Sequence, residues 1–477
     1  MDTTKQPIVS GLSNQLEALN FKALLSDNSI NLNRNRKHIK STTRGNFRER
    51  ILRKVQNRIS PEPIQEDSKI PLTCQFQLFQ TAMKHLLISG QFMGLNPVSR
   101  ISDHSPTKIR FTVLSWKFVY GVTIGIAQAC ATVLCFCKLL KDSVNIVALA
   151  YFAFYLSTGC NTFIFLRVAS KWPTLIKHVY ETQLDSYIDV KVKNKCFAAY
   201  IIFFSMSMTE HMLSLLSKFV ITMDCLPKGS DLFESYIIRN FPWLFEFDVP
   251  YYLPIGVILQ FLTLVSTINW SYSDLFIVCM SIYLTSILKQ INKKIEMAGN
   301  SNHLPIPFWR TLREDYTRAT RLVRSFDDTI SSVIFLSFAS NLFFICLQLY
   351  NILSNGVTSK YNLLKEMCPN YPSGPLGGYE QIMYLLFSLS FLLGRSLVVS
   401  LVAAKVHSAS MVPASALYNI PRNMYCSEIQ RFLDQVHGDK VALSGLRFFY
   451  VTRSLVLSVA GTIVTYELVL LQFSNED

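Results

Sequence analysis

Seven separate apolar stretches constrain this chain more than any other feature. They run over residues 118–140, 146–168, 196–222, 252–288, 331–353, 379–404 and 448–473. A helix that crosses a hydrocarbon core about 30 Å thick needs roughly 20 apolar residues, at a rise of about 1.5 Å each. Backbone polar groups in lipid must be satisfied within the protein, so each stretch is predicted to be a helix and the chain an all-α integral membrane protein. Charged residues make up only 16% of the 477, against roughly a quarter in soluble domains. The fourth stretch is longer than a bilayer requires, so part of it is expected to project outside as helix. Residues 406–420 are apolar but short, and Pro413 and Pro421 interrupt them. They read as a half-helix ahead of the last span.

Lysine and arginine set the orientation. The first 116 residues hold 17 of them. Further basic clusters fall at Lys171–Lys195, Lys289–Arg324 and Arg422–Arg447, between alternate spans. The opposite loops hold few: Lys141, Lys228, Arg239, Lys360 and Lys365. This asymmetry predicts a cytoplasmic N-terminus and, after seven spans, an outer C-terminus. It also accounts for the net charge of +14 without nucleic acid as a partner. The expected organisation is a cytoplasmic, disordered basic tail over 1–70 and a six-helix ligand-binding region over 71–405. A cytoplasmic half-helix and loop, an anchor region, follow over 406–447, then the last span and a short outer tail over 448–477. Residues 72–95 are mildly amphipathic and are expected to form a helix along the inner membrane surface.

The topology is opposite to that of G-protein-coupled receptors, and their Asp-Arg-Tyr and Asn-Pro-x-x-Tyr motifs are missing. The eleven cysteines fit no metal spacing. Two outer loops each carry one, Cys225 and Cys368, which are candidates for a disulfide in an oxidising exterior. No constellation activates a nucleophile or binds a cofactor, so neither an enzyme nor a cofactor is expected. The one Asn-x-Ser/Thr match, at Asn269, lies inside a span.

Two constellations carry chemistry. In the last span Ser454, Ser458, Thr462, Thr465, Val469 and Gln472 recur at steps of three and four, one face of a helix whose other faces are apolar. Such a stripe either packs against neighbouring helices or lines a water-filled pore where several copies meet. The second constellation is acidic and aromatic: Glu210 and His211 in span three, with Trp270, Tyr272 and Asp274 in span four. Counting from Lys195 and Lys289, both carboxylates lie fifteen residues into the membrane, roughly 22 Å, at one depth in the outer half. An ionisable residue at that depth is a functional candidate. Carboxylates accept hydrogen bonds from adjacent hydroxyls, and indole or phenol faces pack on the C–H face of a pyranose, so the site suits a small neutral sugar. A structural pairing of Glu210 with His211 or Lys218 is the competing reading. Tyr151, Tyr155, Asn341 and Ser388 are further pocket candidates. Arg395, near mid-membrane, is expected to partner an acid.

The last span ends Thr465-Tyr466-Glu467-Leu468-Val469-Leu470-Leu471-Gln472-Phe473. This resembles the T-Y-x5-Q-F signature of insect gustatory receptors, at all four defined positions and in the same place. Glu210–Ser214 and Trp270–Ile277 resemble segments of the sugar-receptor, trehalose-receptor-like branch. The resemblance covers about residues 75–473 and implies the insect chemoreceptor channel fold. It further implies a ligand-gated non-selective cation channel of four subunits, homomeric or with related subunits, in the plasma membrane of gustatory neurons. Gln472 and Phe473 would form or flank the outer gate, with Val469, Thr465 and Thr462 along the pore. The rival readings are a binding subunit of a heteromer and a secondary transporter that uses the two carboxylates.

Overall fold

The computed structural model describes residues 74–474 apart from 102, 104, 142–145, 185–186, 188, 227–229, 300–303 and 369–378, and within that range leaves aside the side chains at 74–75, 354–367, 423, 467–468 and 470–474. The basic tail expected over 1–70 and the last residues of the outer tail lie outside the described residues. In chain order the helices are α1 (Cys74–Phe92), α2 (Trp116–Lys141), α3 (Ile146–Glu181), α4 (Lys191–Asp224), α5 (Leu232–Asn240) and α6 (Pro242–Phe245). They continue with α7 (Leu253–Gly299), α8 (Ile306–Met367), α9 (Glu380–Tyr418), α10 (Ser427–Gly438) and α11 (Arg453–Ser474). Two small antiparallel pairs complete the set, β1 (Val98–Ser99) with β2 (Arg110–Phe111) and β3 (Ser444–Gly445) with β4 (Phe449–Tyr450).

Six helices, α2, α3, α4, α7, α8 and α9, are long and apolar enough to cross a membrane. In α11 the described apolar stretch is shorter, Arg453–Tyr466. The six coincide with the first six expected spans, but four of them run well beyond the apolar runs. α8 has 62 residues where 23 were expected. Hydropathy marks only the lipid-facing length of such a helix. Its continuation is amphipathic: Trp309, Leu312, Tyr316, Ala319, Val323 and Phe326 are buried at steps of three and four. The continuations of α3 and α7 meet it there, burying Trp172, Ile176, Ile291 and Ile295 in one core. α1 packs on that core rather than showing its apolar side to lipid: the Phe79 ring lies 4.6 Å from Tyr283 and 6.0 Å from Trp172. α7 is the central element, in contact with α9, α4, α8 and α3.

The expected break near residue 405 does not occur. α9 is continuous from Glu380 to Tyr418 with Pro413 inside it. A proline in a helix removes the hydrogen bond to the carbonyl four residues earlier, here that of Ala409. Asn292 of α7 supplies the missing donor, its Nδ2 lying 2.8 Å from the Ala409 oxygen. α10 then packs Ile429, Phe432, Leu433 and Val436 onto the bundle. The β3–β4 hairpin is fastened to α8: the Ser444 backbone N–H and hydroxyl donate to Asp327 at 2.6 and 2.8 Å, and Arg447 pairs with Asp328 at 2.9 Å.

Asn292→Ala strands the Ala409 carbonyl and is expected to cost about 1–3 kcal/mol, measured as a lower thermal midpoint of the purified full chain. In a Pro413→Ala background residue 413 regains its N–H, and the loss should shrink to less than half. Equal losses in both backgrounds would disconnect the two residues.

Candidate functional site

Helices α3, α4, α7, α8 and α9 carry polar or aromatic residues at helical spacing, and these stripes meet in a cavity of about 340 Å³, within the range of small-molecule sites. α4 contributes Glu210, Ser214 and Lys218, with His211 beside them. α7 contributes Gln260, Thr263, Thr267 and Trp270; α8 contributes Phe344, Gln348 and Asn351; α9 contributes Tyr384 and Ser388. Tyr151 and Tyr155 of α3 complete the aromatic lining. Steps of three and four keep each set on one helix face. Cys225, just after α4, and Cys368, just after α8, are joined by a disulfide with a Cα separation of 4.5 Å.

A hydrogen-bond chain crosses the cavity wall. Gln348 Nε2 donates to Ser388 Oγ at 3.1 Å, and Ser388 Oγ donates to Glu210 Oε1 at 2.6 Å. Glu210 is thus engaged by Ser388 across the helices rather than by His211 or Lys218 on its own helix. Among the described residues, two buried polar atoms of the lining have no protein partner, the Trp270 indole Nε1 and Gln348 Oε1. One is a donor and the other an acceptor. Buried polar groups in native proteins are ordinarily paired, so the cavity presents a donor–acceptor set left for a polar guest.

One to two turns further along, the same stripes close into a salt-bridged network. Asp274 follows Trp270 by four residues, and Arg395 follows Ser388 by seven. The Arg395 and Asp274 side chains are 2% and 0% exposed, with Nε 3.3 Å from Oδ2. Asp274 also accepts from Ser337 and from Asn341 Nδ2, the latter at 3.1 Å to Oδ2. Arg395 donates to Ser271 Oγ at 2.9 Å and to Asn341 Oδ1 at 3.2 Å. Its guanidinium carbon sits 4.1 Å from the centre of the Trp270 ring. Trp270 therefore borders the cavity and is held by the network.

Of the residues predicted for the pocket, Glu210, His211, Trp270, Tyr151, Tyr155 and Ser388 line the cavity, whereas Tyr272, Asp274 and Asn341 do not. Tyr272 is two residues past Trp270, on another helix face, and its hydroxyl accepts from Asn96 Nδ2 at 2.9 Å. A Cβ at Gly90 would collide with that hydroxyl. Asp274 has the right face but lies a turn along, and Arg395, stacked on Trp270, links it to the cavity. Counting residues from a flanking lysine does not fix the relative height of two different helices, which is why the two carboxylates separate. Gln260, Thr263, Gln348 and Tyr384 escaped the sequence reading. Their signal was the three-and-four spacing of polar residues within apolar spans.

In α11 the polar stripe does not pack on the described residues of its own chain. Ser454, Ser458, Thr462, Thr465 and Val469 are exposed, while Leu455 and Ile463 pack on the bundle. The Ser458, Thr462 and Thr465 hydroxyls donate to carbonyls four residues earlier, at 3.2, 2.9 and 2.9 Å. Gln472 and Phe473 fall in the last turns of this helix, with side chains outside those described.

The fold is that of the insect chemoreceptors, on a multi-pass membrane protein. The solved olfactory receptor OR5 of Machilis hrabei superposes with a TM-score of 0.57 at 15% identity, over 84% of this chain and all of that one. The family model for trehalose receptors matches residues 64–365 and 375–477, and the chain belongs to that family. Among Drosophila melanogaster proteins it is 29% identical over 408 residues to the gustatory receptor for sugar taste 64f, covering 84% of this chain and 81% of that receptor. It is also 29% identical over 404 residues to gustatory receptor 5a for trehalose, covering 83% and 86%.

Asp274→Ala leaves the Arg395 guanidinium buried without its counter-charge and is expected to cost about 3–5 kcal/mol, seen as loss of folded protein at the cell surface. Asp274→Leu combined with Arg395→Met should recover most of that loss. A single variant as stable as the parent would mean that the pair does not hold the bundle.

Proposed function

We propose that the chain is a sugar-taste receptor that is itself a ligand-gated, non-selective cation channel. It sits in the plasma membrane of gustatory neurons with its N-terminus cytoplasmic and its C-terminus outside. The observation that carries this reading is the cavity, with one carboxylate, aromatic faces and an unpartnered donor and acceptor. The named sugar and trehalose specificities of the relatives support the ligand class. A small saccharide hydroxyl accepts from Trp270 Nε1, while others donate to Gln348 Oε1 and the free lone pairs of Glu210. The ring's C–H face packs on Tyr151, Tyr155 or Trp270.

Four copies of α11, from identical or related subunits, turn their serine and threonine stripes to a common axis. Thr462, Thr465 and Val469 line the path, and Gln472 and Phe473 close its outer end as a constriction that dewets. The sugar favours the open state to the extent that it binds that state more tightly. The cavity's helices α8 and α9 both pack on α11, which gives ligand-dependent movement a short route to the pore.

In cells expressing the chain, a panel of mono-, di- and trisaccharides should evoke a cation current that persists when G-protein signalling is blocked; silence at normal surface expression would count against a self-sufficient channel. Glu210→Gln weakens a charged hydrogen-bonding group, and the sugar dose–response is expected to move about tenfold to higher concentration at unchanged surface level. An unmoved curve would place the sugar elsewhere. Thr462→Cys should be blocked by a small charged thiol reagent only while sugar is present; indifference to the reagent would take the stripe off the conduction path.

A further inference from the structure

A second cavity, of about 410 Å³, opens among α7, α9 and the start of α11, at the end of the bundle where the basic clusters gather. Its charged lining is Lys289 and Lys293 of α7, Lys405 of α9 and Arg453 at the first residue of α11, with Glu296 as the carboxylate. Four cations against one carboxylate leave a surplus of three positive charges. Among the described residues none of the four cations is held in an ion pair. The first backbone N–H groups of α11 also have no acceptor within the helix and lie at its positive end.

Asn292 gives the cleft a second feature. It is 5% exposed and lies in the lining. Its amide nitrogen is committed to the Ala409 carbonyl that Pro413 leaves free. That commitment fixes which edge of the amide is left over, and its Oδ1 is buried without a partner among the described residues. A sulfate offers nothing to this atom, because an unsatisfied acceptor needs a donor. The cations call for several anionic oxygens and Asn292 for a hydroxyl.

We propose that this cleft binds a phosphorylated polyol of the inositol phosphate class, either free or as the headgroup of a phosphoinositide lipid. The phosphates sit among Lys289, Lys293, Lys405 and Arg453, and a ring hydroxyl donates to Asn292 Oδ1. The occupant bridges α7, α9 and the first turn of α11, so it braces the base of the last helix against the bundle. This site is separate from the sugar cavity and does not depend on which ligand that cavity takes.

The test uses the purified full chain in two arms. In detergent, calorimetry follows inositol trisphosphate, with unphosphorylated inositol and inorganic sulfate as controls. In nanodiscs, the thermal midpoint is compared in phosphatidylcholine alone and with added phosphatidylinositol bisphosphate. The parent protein is expected to bind the trisphosphate more tightly than sulfate and not to bind inositol. Lys293→Gln with Lys405→Gln should weaken that binding at least about tenfold, and Lys293→Arg with Lys405→Arg should retain it. If only the lipid stabilises the protein, with the same variant pattern, the occupant is the lipid headgroup. If the double glutamine variant does not elute as folded protein, Lys405→Gln alone replaces it, with a several-fold loss expected. No binding in either arm, equal binding by the glutamine variants, or sulfate binding as tightly as the trisphosphate would each overturn the proposal.

Discussion

A guanidinium and a carboxylate withdrawn from water inside a lipid-facing bundle set the register of the helices around them. Removing two charges from water is expensive, and their mutual attraction compensates only when the remaining donors and acceptors are also engaged. Ser271, Ser337 and Asn341 engage both carboxylate oxygens of Asp274 and both terminal nitrogens of Arg395, and Arg395 Nε faces Asp274 Oδ2 at 3.3 Å. Ser271 and Asp274 lie on α7, Ser337 and Asn341 on α8 and Arg395 on α9, so the network is satisfied only at one mutual sliding position of three helices. The same position brings Gln348, Ser388 and Trp270 to a common level. The cavity is in this sense the adjoining course of the same masonry, and Trp270, stacked on the guanidinium, is shared between them.

Much of the architecture was readable from the amino-acid order because lipid imposes a simple rule. Apolar runs marked one end of α2, α3, α4, α7 and α9 within a few residues, and the spacing of Ser454, Ser458, Thr462 and Thr465 marked a face that stays exposed. The opposite ends of most were less legible. The continuations of α7 and α8 are ordinary amphipathic helices, and no change of composition shows that a spanning helix proceeds unbroken into them. Pro413 read as a break because the rule for proline is local. The donor that compensates it, Asn292, is 121 residues away in sequence, and only tertiary packing brings the two together.

The pocket was legible to the same extent and no further. Glu210 and Trp270 stood out as polar or amphipathic groups in apolar surroundings. Tyr272 and Asp274 stood out equally, yet one meets Asn96 beside Gly90 and the other meets Arg395. A carboxylate in a membrane helix signals that it has a partner, but an arginine and a ligand hydroxyl leave the same mark in one sequence. What separates them is whether the partner belongs to the protein. Asp274 is saturated by side chains, whereas Trp270 Nε1 and Gln348 Oε1 are not.

The fastening of the β3–β4 hairpin to Asp327 gives α8 a mechanical character. About 31 Å separate Asp327 from Gln348 along this helix at its regular rise. Beyond the cavity the disulfide at Cys368 ties the far end of the segment to α4. α8 is thus a beam held at two places, by the disulfide beyond the cavity and by the core that buries Trp309, Tyr316 and Phe326. The hairpin that leads into α11 is fastened at the edge of that core. A load at the cavity therefore acts on a stiff member clamped on both sides, and the root of the last helix is tied to that same member rather than to a loop of its own.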